Sequence, residues 1–210
     1  MTHWPIILFC TLAVAALIAA DRREWPLGRW LTKPLASAAF VALALAGGAL
    51  DSSYGVTVLV ALLLCMLGDI LLIPETVGIS FLAGLVSFLL GHVAFGVAFV
   101  LLGVSWSTTA IAAAALTIPA LLVLRWLGRH LEGPMRIAVP IYILVISGMV
   151  ALSVGAALPA RSALIGAGTI CFFLSDIAVA RNRFVHPHWH NRLWGLPLYY
   201  GATVMLALTV

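Results

Sequence analysis

Eight apolar runs divide the chain, at about residues 4–20, 34–50, 54–73, 78–102, 107–127, 135–157, 162–180 and 193–210. Short stretches rich in charge, proline or tryptophan separate them. Each run approaches the roughly 20 apolar residues that a helix needs to cross a bilayer. Backbone in that layer must satisfy its own hydrogen bonds, so the runs read as helices. The expected fold is all-α, a polytopic membrane helix bundle of about eight transmembrane helices in one integral membrane domain, 1–210. The first run reads as a span rather than a signal peptide, because it lacks a basic start and a small-residue cleavage site followed by a soluble chain. Pro119 and Pro140 fall inside runs, where each is expected to kink its helix.

Composition reinforces the pattern. The chain is 64% hydrophobic and only 9% charged, with a mean hydropathy of +1.17, against about 25% charged residues in a soluble domain. The formal charge of +4 therefore describes the loops. Membrane lipids are the expected partners, and nucleic acid is not. Cys10, Cys65 and Cys171 lie inside apolar runs without metal-ligand spacing and read as small core residues.

The loops also orient the bundle. Connections after the first, third, fifth and seventh runs, with their flanks, carry Arg22, Arg23, Arg29, Lys33, Arg125, Arg129, Arg136, Arg181, Arg183 and Arg192, and the opposite side carries Arg161 alone. Basic loops stay on the cytoplasmic side, so the chain is expected in the cell membrane as a multi-pass protein with both termini non-cytoplasmic. Trp4, Trp25, Trp30, Trp106, Trp189 and Trp194 stand at the run ends, where an aromatic belt belongs.

Two acids interrupt this apolar pattern. Leu67-Gly68-Asp69-Ile70 near the end of the third run echoes Leu174-Ser175-Asp176-Ile177 near the end of the seventh. The echo suggests two parallel four-helix repeats, 1–105 and 106–210. An acid inside a span is costly and usually faces a polar cavity, so Asp69 and Asp176 are the catalytic candidates. The bland alternative is that each caps a helix or pairs with a loop arginine. Lys33, Tyr142, Ser175, Tyr199 and Tyr200 reach the same depth and are candidate substrate-binding residues, although Lys33 could simply snorkel to the interface. Lys33 is expected at the start of the second helix. His92 lies mid-span and joins the binding candidates, with a packing hydrogen bond as its alternative. The Gly84/Gly91/Ala98 spacing predicts a close approach between its helix and a neighbour. His186, His188 and His190 alternate in a basic loop. No metal site and no cofactor are expected there or elsewhere.

Several motifs together resemble the YhhN-type family of membrane lysoplasmalogenases. They are Gly68-Asp69-x-x-Leu72, Phe81-x-x-Gly84-x-x-x-Phe88-x-x-Gly91-His92, Ser175-Asp176-x-x-Val179-Ala180-x-x-Arg183-Phe184 and Pro197-x-Tyr199-Tyr200, with Lys33-Pro34 before them. The match runs in order over about residues 33 to 203. Phe95 stands where the family pattern leads to Tyr, Thr203 where it leads to Gln, and Val179 where it leads to Leu. The departures bear on head-group contacts and hence on substrate preference.

The resemblance implies a lysophospholipid substrate. The reaction would be hydrolysis of the vinyl-ether bond of lysoplasmenyl-ethanolamine or -choline to a fatty aldehyde and the glycerophospho-alcohol. Asp69 and Asp176 would be its two aspartates. Vinyl-ether hydrolysis protonates the β-carbon, and a carboxylic acid and a carboxylate divide that labour as they do in glycoside hydrolysis. The apolar helix surroundings of Asp69 favour it as the acid. Ser175, Arg181 and Arg183 near Asp176 favour the carboxylate there. Lys33 or the 181–192 loop would hold the substrate phosphate. The competing class is a proton-coupled membrane transporter using the same acids and His92 as a relay. A structural or lipid-sensing bundle explains the spans but not two matched acids.

Overall fold

A computed structural model describes residues 3–74 and 78–210. Its helices are α1 (Trp4–Arg22), α2 (Pro26–Ala46), α3 (Ser53–Leu71), α4 (Ile79–Leu102), α5 (Trp106–Gly128), α6 (Met135–Ala157), α7 (Ala163–Ala180) and α8 (Trp189–Ala207). Local sequence sets their starts. Pro5 and Pro26 occupy first-turn positions of α1 and α2, where a missing N–H costs nothing. Ser52 caps α3 by accepting from the Gly55 amide at 3.0 Å. A glycine with positive φ, Gly103 at 103°, ends α4. After α7 the chain makes one π-helical turn, Arg181–Val185.

The helix ends depart from the apolar runs in one informative place. The second helix starts at Pro26, two turns before the apolar run, so Lys33 lies well inside it and not at its opening. Arg29 and Lys33 face a cavity within the protein, which lets the helix continue through residues that hydropathy assigns to a loop. Pro34 and Pro197 also lie inside helices, as Pro119 and Pro140 do.

Among the described residues, six helices are long and apolar enough to cross a membrane: α1, α3, α4, α5, α6 and α7 with its π turn. The two helices outside that group, α2 and α8, are of similar length but are less apolar and carry Arg29, Lys33, Asn191 and Arg192 of the cavity lining. Leu8, Leu12, Ile111, Ile118, Leu121, Leu122, Ile137 and Leu144 are largely exposed on the outside of the bundle. An apolar exterior around a polar centre suits lipid as the solvent.

Sequential pairs pack most extensively, α1 on α2, α3 on α4, α5 on α6 and α7 on α8, and α4 also packs on α6. Glycine makes the α3–α4 contact possible. A Cβ on Gly91 would stand 3.2 Å from Cys65 Sγ and 3.3 Å from the Ala61 carbonyl, and one on Gly84 would stand 2.8 Å from Leu72. Close approach of α4 through its small residues is therefore as the spacing predicted. The main core lies between α2, α3, α4, α6, α7 and α8, around Phe40, Phe95, Phe99 and Phe172. A smaller cluster of Phe81, Leu127, Leu131, Met135, Val139 and Ile143 sits under the α5–α6 connection. In α5 itself only Leu127 is buried.

Candidate active site

The site begins on α3 and α7. Gly68 and Ser175 are small, and each precedes an aspartate that turns into the bundle. Gly68 leaves room for the Phe88 ring, which a Cβ there would meet at 2.6 Å. Ser175 lies close to Gly195 of α8, a residue whose own added Cβ would stand 2.7 Å from Ala178.

Asp69 is fully engaged. Ser37 Oγ and Tyr199 Oη each donate to its Oδ2 at 2.6 Å. Lys33 Nζ stands 3.3 Å from Oδ1 and donates to the Asp69 backbone carbonyl at 2.9 Å. The Asp69 side chain is 3% exposed. One cation and two O–H donors on a single carboxyl make the surroundings of a carboxylate.

Asp176 has different neighbours. Tyr142 Oη donates to its Oδ2 at 2.7 Å. Among the described residues no lysine or arginine pairs with it, and His92 Nε2 is 3.7 Å away, beyond hydrogen-bond distance. Its side chain is 19% exposed, into the cavity. The expected assignment of the two acids therefore meets the opposite geometry. Arg183, read as a neighbour of Asp176, reaches instead to the carbonyls of Leu72 and Pro74 at 2.8 and 3.2 Å. The cation sits on Asp69 because α2 is longer than its apolar run and delivers Lys33 at that depth.

Both aspartates line one cavity of about 180 Å³, together with Lys33, Tyr142, Ser175 and Tyr199. Apolar walls come from Leu85, Val139, Ile143, Ile146 and Phe173. The remaining two residues singled out from the sequence stand behind the wall. His92 is buried, its ring 4.7 Å from Phe172 and 5.2 Å from Tyr142, centroid to centroid. Neither of its ring nitrogens makes a hydrogen bond among the described residues, so the expected packing hydrogen bond is not seen. Tyr200 Oη lies 3.4 Å from Ser37 Oγ and from the Lys33 carbonyl.

Sequence reading missed Ser37, Asp21 and Arg29, whereas Arg183 and Arg192 belong to the 181–192 loop that it offered as a phosphate holder. Arg29, Lys33 and Ser37 follow one another at four-residue steps on α2, a polar stripe along an otherwise apolar helix. That spacing was the available signal. At the mouth Asp21 Oδ1 pairs with Arg29 Nε at 2.6 Å and with Arg192 Nη1 at 2.5 Å. The Arg183 guanidinium lies 5.2 Å from the centroid of the Phe81 ring.

The family assignment follows from the whole length of this site. A model of the YhhN family matches residues 28–210, which include every helix that lines the cavity except α1. The chain belongs to the YhhN family. No curated protein and no solved structure matches it. Membership covers both aspartates, Lys33 and the tyrosine pair, and begins one residue before Arg29. Of the mouth residues, only Asp21 lies outside the matched segment.

Proposed function

We propose that this YhhN-family protein is a lysoplasmalogenase, an ether hydrolase acting on the vinyl ether of single-chain phospholipids. The observation that carries the reading is the pair of carboxyls on one apolar cavity in unlike surroundings. Asp69 is clamped by a cation and two hydroxyls, and Asp176 is exposed to the cavity beside a phenol. Family membership supports the same reading.

The steps balance as a hydrolysis. Asp176 acts as the acid and transfers its proton to the alkene β-carbon, so the C=C pair forms the new C–H bond. The ether oxygen then shares the positive charge as an oxocarbenium ion, which the Asp69 carboxylate stabilises. Water adds to the cationic carbon and returns a proton to Asp176. Asp176 then gives its proton to the glycerol oxygen as that C–O bond breaks, and the hemiacetal hydroxyl returns its proton to Asp176 as C=O forms, releasing aldehyde and glycerophospho-alcohol. Apolar walls exclude bulk water until the alkenyl chain is seated. No cofactor takes part in these steps.

The test is incubation of purified protein in detergent with lysoplasmenyl-ethanolamine and detection of the aldehyde. The saturated alkyl-ether analogue has no alkene carbon to protonate and should remain intact. Equal turnover of both, or of an acyl ester, overturns the mechanism. Chelators should leave turnover unchanged, and restoration of lost activity by a divalent metal would point to different chemistry.

A further inference from the structure

We propose that Arg29 and Arg192, held side by side by Asp21, form a phosphate seat at the mouth of the cavity. Its ligand is the phosphodiester of a single-chain phospholipid. The inference rests on reading the cavity as a lysolipid site, and not on which bond is cleaved there.

Three helices build the seat from opposite ends of the chain. Asp21 ends α1, Arg29 lies in the first turn of α2, and Arg192 lies in the first turn of α8. Both guanidinium groups meet the same carboxylate oxygen. Side-chain exposures of 8% for Asp21, 13% for Arg29 and 24% for Arg192 set this group apart from a surface ion pair, which contributes little. Two like charges brought together at the edge of a low-dielectric interior repel unless an acid or an anion lies between them. Asp21 supplies the acid and holds both planar forks at the cavity wall. A guanidinium offers five N–H donors, and it can exchange partners for the oxygens of a phosphate in the bidentate geometry that suits it.

Depth supports the same ligand. Arg29, Lys33 and Ser37 descend α2 by single turns, and Ser37 bonds Asp69. The eight residues from Arg29 to Ser37 rise by about 12 Å. In a lysophospholipid an ester oxygen, three glycerol carbons and one further oxygen separate phosphorus from the first carbon of the chain. That arm, with the reach of the arginine side chains, places a head-group phosphate at Arg29 and Arg192 and the chain's first carbons at the aspartates. The apolar wall below then receives the chain. A free phosphate would use the same donors but would leave this wall uncovered.

Binding of non-cleavable probes to the full-length protein in detergent tests the seat independently of turnover. The probes are 1-O-alkyl lysophosphatidylethanolamine, 1-O-alkylglycerol of the same chain length, and inorganic phosphate. Wild type should bind the lysophospholipid at least tenfold more tightly than the alkylglycerol, with that preference shrinking as salt rises. Arg192→Gln and Arg29→Gln should each abolish the preference while leaving alkylglycerol affinity unchanged. Asp21→Asn should weaken it, and Arg192→Lys should restore only part of what Arg192→Gln loses. If one arginine variant does not fold, the other, on a different helix, decides the matter. Equal affinity for the two lipids in wild type, or variants that lose both lipids alike, overturns the proposal. Inorganic phosphate binding as tightly as the lysophospholipid overturns the lipid assignment and makes the seat one for a free anion. Because none of the probes is a vinyl ether, a protein that binds them as described and cleaves no plasmalogen keeps the seat and loses only the proposed reaction.

Discussion

Lys33, Asp69 and Asp176 carry the residue-scale predictions. Asp69→Asn and Asp176→Asn keep size and polarity while removing the charge or the acid. Each should lower turnover of the vinyl ether by about 10²–10⁴-fold, the scale of acid–base groups. The double variant should be little worse than the poorer single one, because groups acting in one step are not additive. Wild-type turnover should slow in heavy water, where carbon protonation transfers a deuteron. Near-normal turnover in either single variant returns that aspartate to a capping role. Lys33→Met makes a different prediction. Breaking a buried ion pair leaves a charge without its counter-ion and costs about 3–5 kcal/mol. Thermal melting in detergent should therefore drop for Lys33→Met and recover in part when Asp69→Asn is added. Additive losses in that double variant would mean that the 3.3 Å pair contributes no coupling.

At the scale of elements, the contact between α7 and α8 sets the position of Tyr199. Gly195 lies one turn before Tyr199, and an added Cβ would stand 2.7 Å from the Ala178 Cβ, an atom with no torsion of its own to move away. Gly195→Ala should force the helices apart, at roughly 1–3 kcal/mol for an overpacked contact. It should also lower turnover by moving the Tyr199 hydroxyl off Asp69. A variant with normal melting and normal turnover would show that α8 has slack the packing does not suggest. The close approach of α4 to α3 was legible in the Gly84/Gly91/Ala98 spacing because small residues at seven-residue intervals share one helix face. The start of α2 was not legible. Hydropathy places Arg29 and Lys33 in a loop, since it weighs each side chain as if lipid surrounded it.

At the scale of the molecule, the C-terminal ends of α1, α3, α5 and α7 lie at one end of the bundle. Arg192 meets Asp21 there, Arg183 meets the end of α3, and Phe81 and Leu131 share a cluster. The basic loops belong to that end, and by the charge rule we propose it as the cytoplasmic one. Reporter fusions should place 21–33, 128–134 and 181–192 in the cytoplasm and the C-terminus outside. A cytoplasmic C-terminus would overturn this orientation, and the absence of α2 and α8 from the group of apolar helices makes it the informative reporter. The two-repeat organisation, 1–105 and 106–210, is a proposal of the same scale. It is supported by an exchange between the halves. The same sequence interval separates Asp69 from Asp176 and His92 from Tyr199. Tyr199 of the second half bonds Asp69 of the first, and His92 of the first half stands against Asp176 of the second.

Hydropathy alone determined that this chain is a helical membrane bundle, because lipid permits one backbone solution for long apolar runs. The family motifs were readable for a related reason. Asp69 and Asp176 are the acids inside apolar runs, and acids in such places stand out against any background. Tertiary structure decided which carboxyl holds the cation, since that depends on α2 extending past its apolar run and on where Lys33 meets α3. It also decided that Ser37 belongs to the site, that His92 and Tyr200 stand behind it, and that Asp21 draws arginines of α2 and α8 into one mouth. Those facts concern distances between segments far apart in the chain. A one-dimensional pattern records what each residue prefers to be near, and the packing of the helices selects which neighbour it receives.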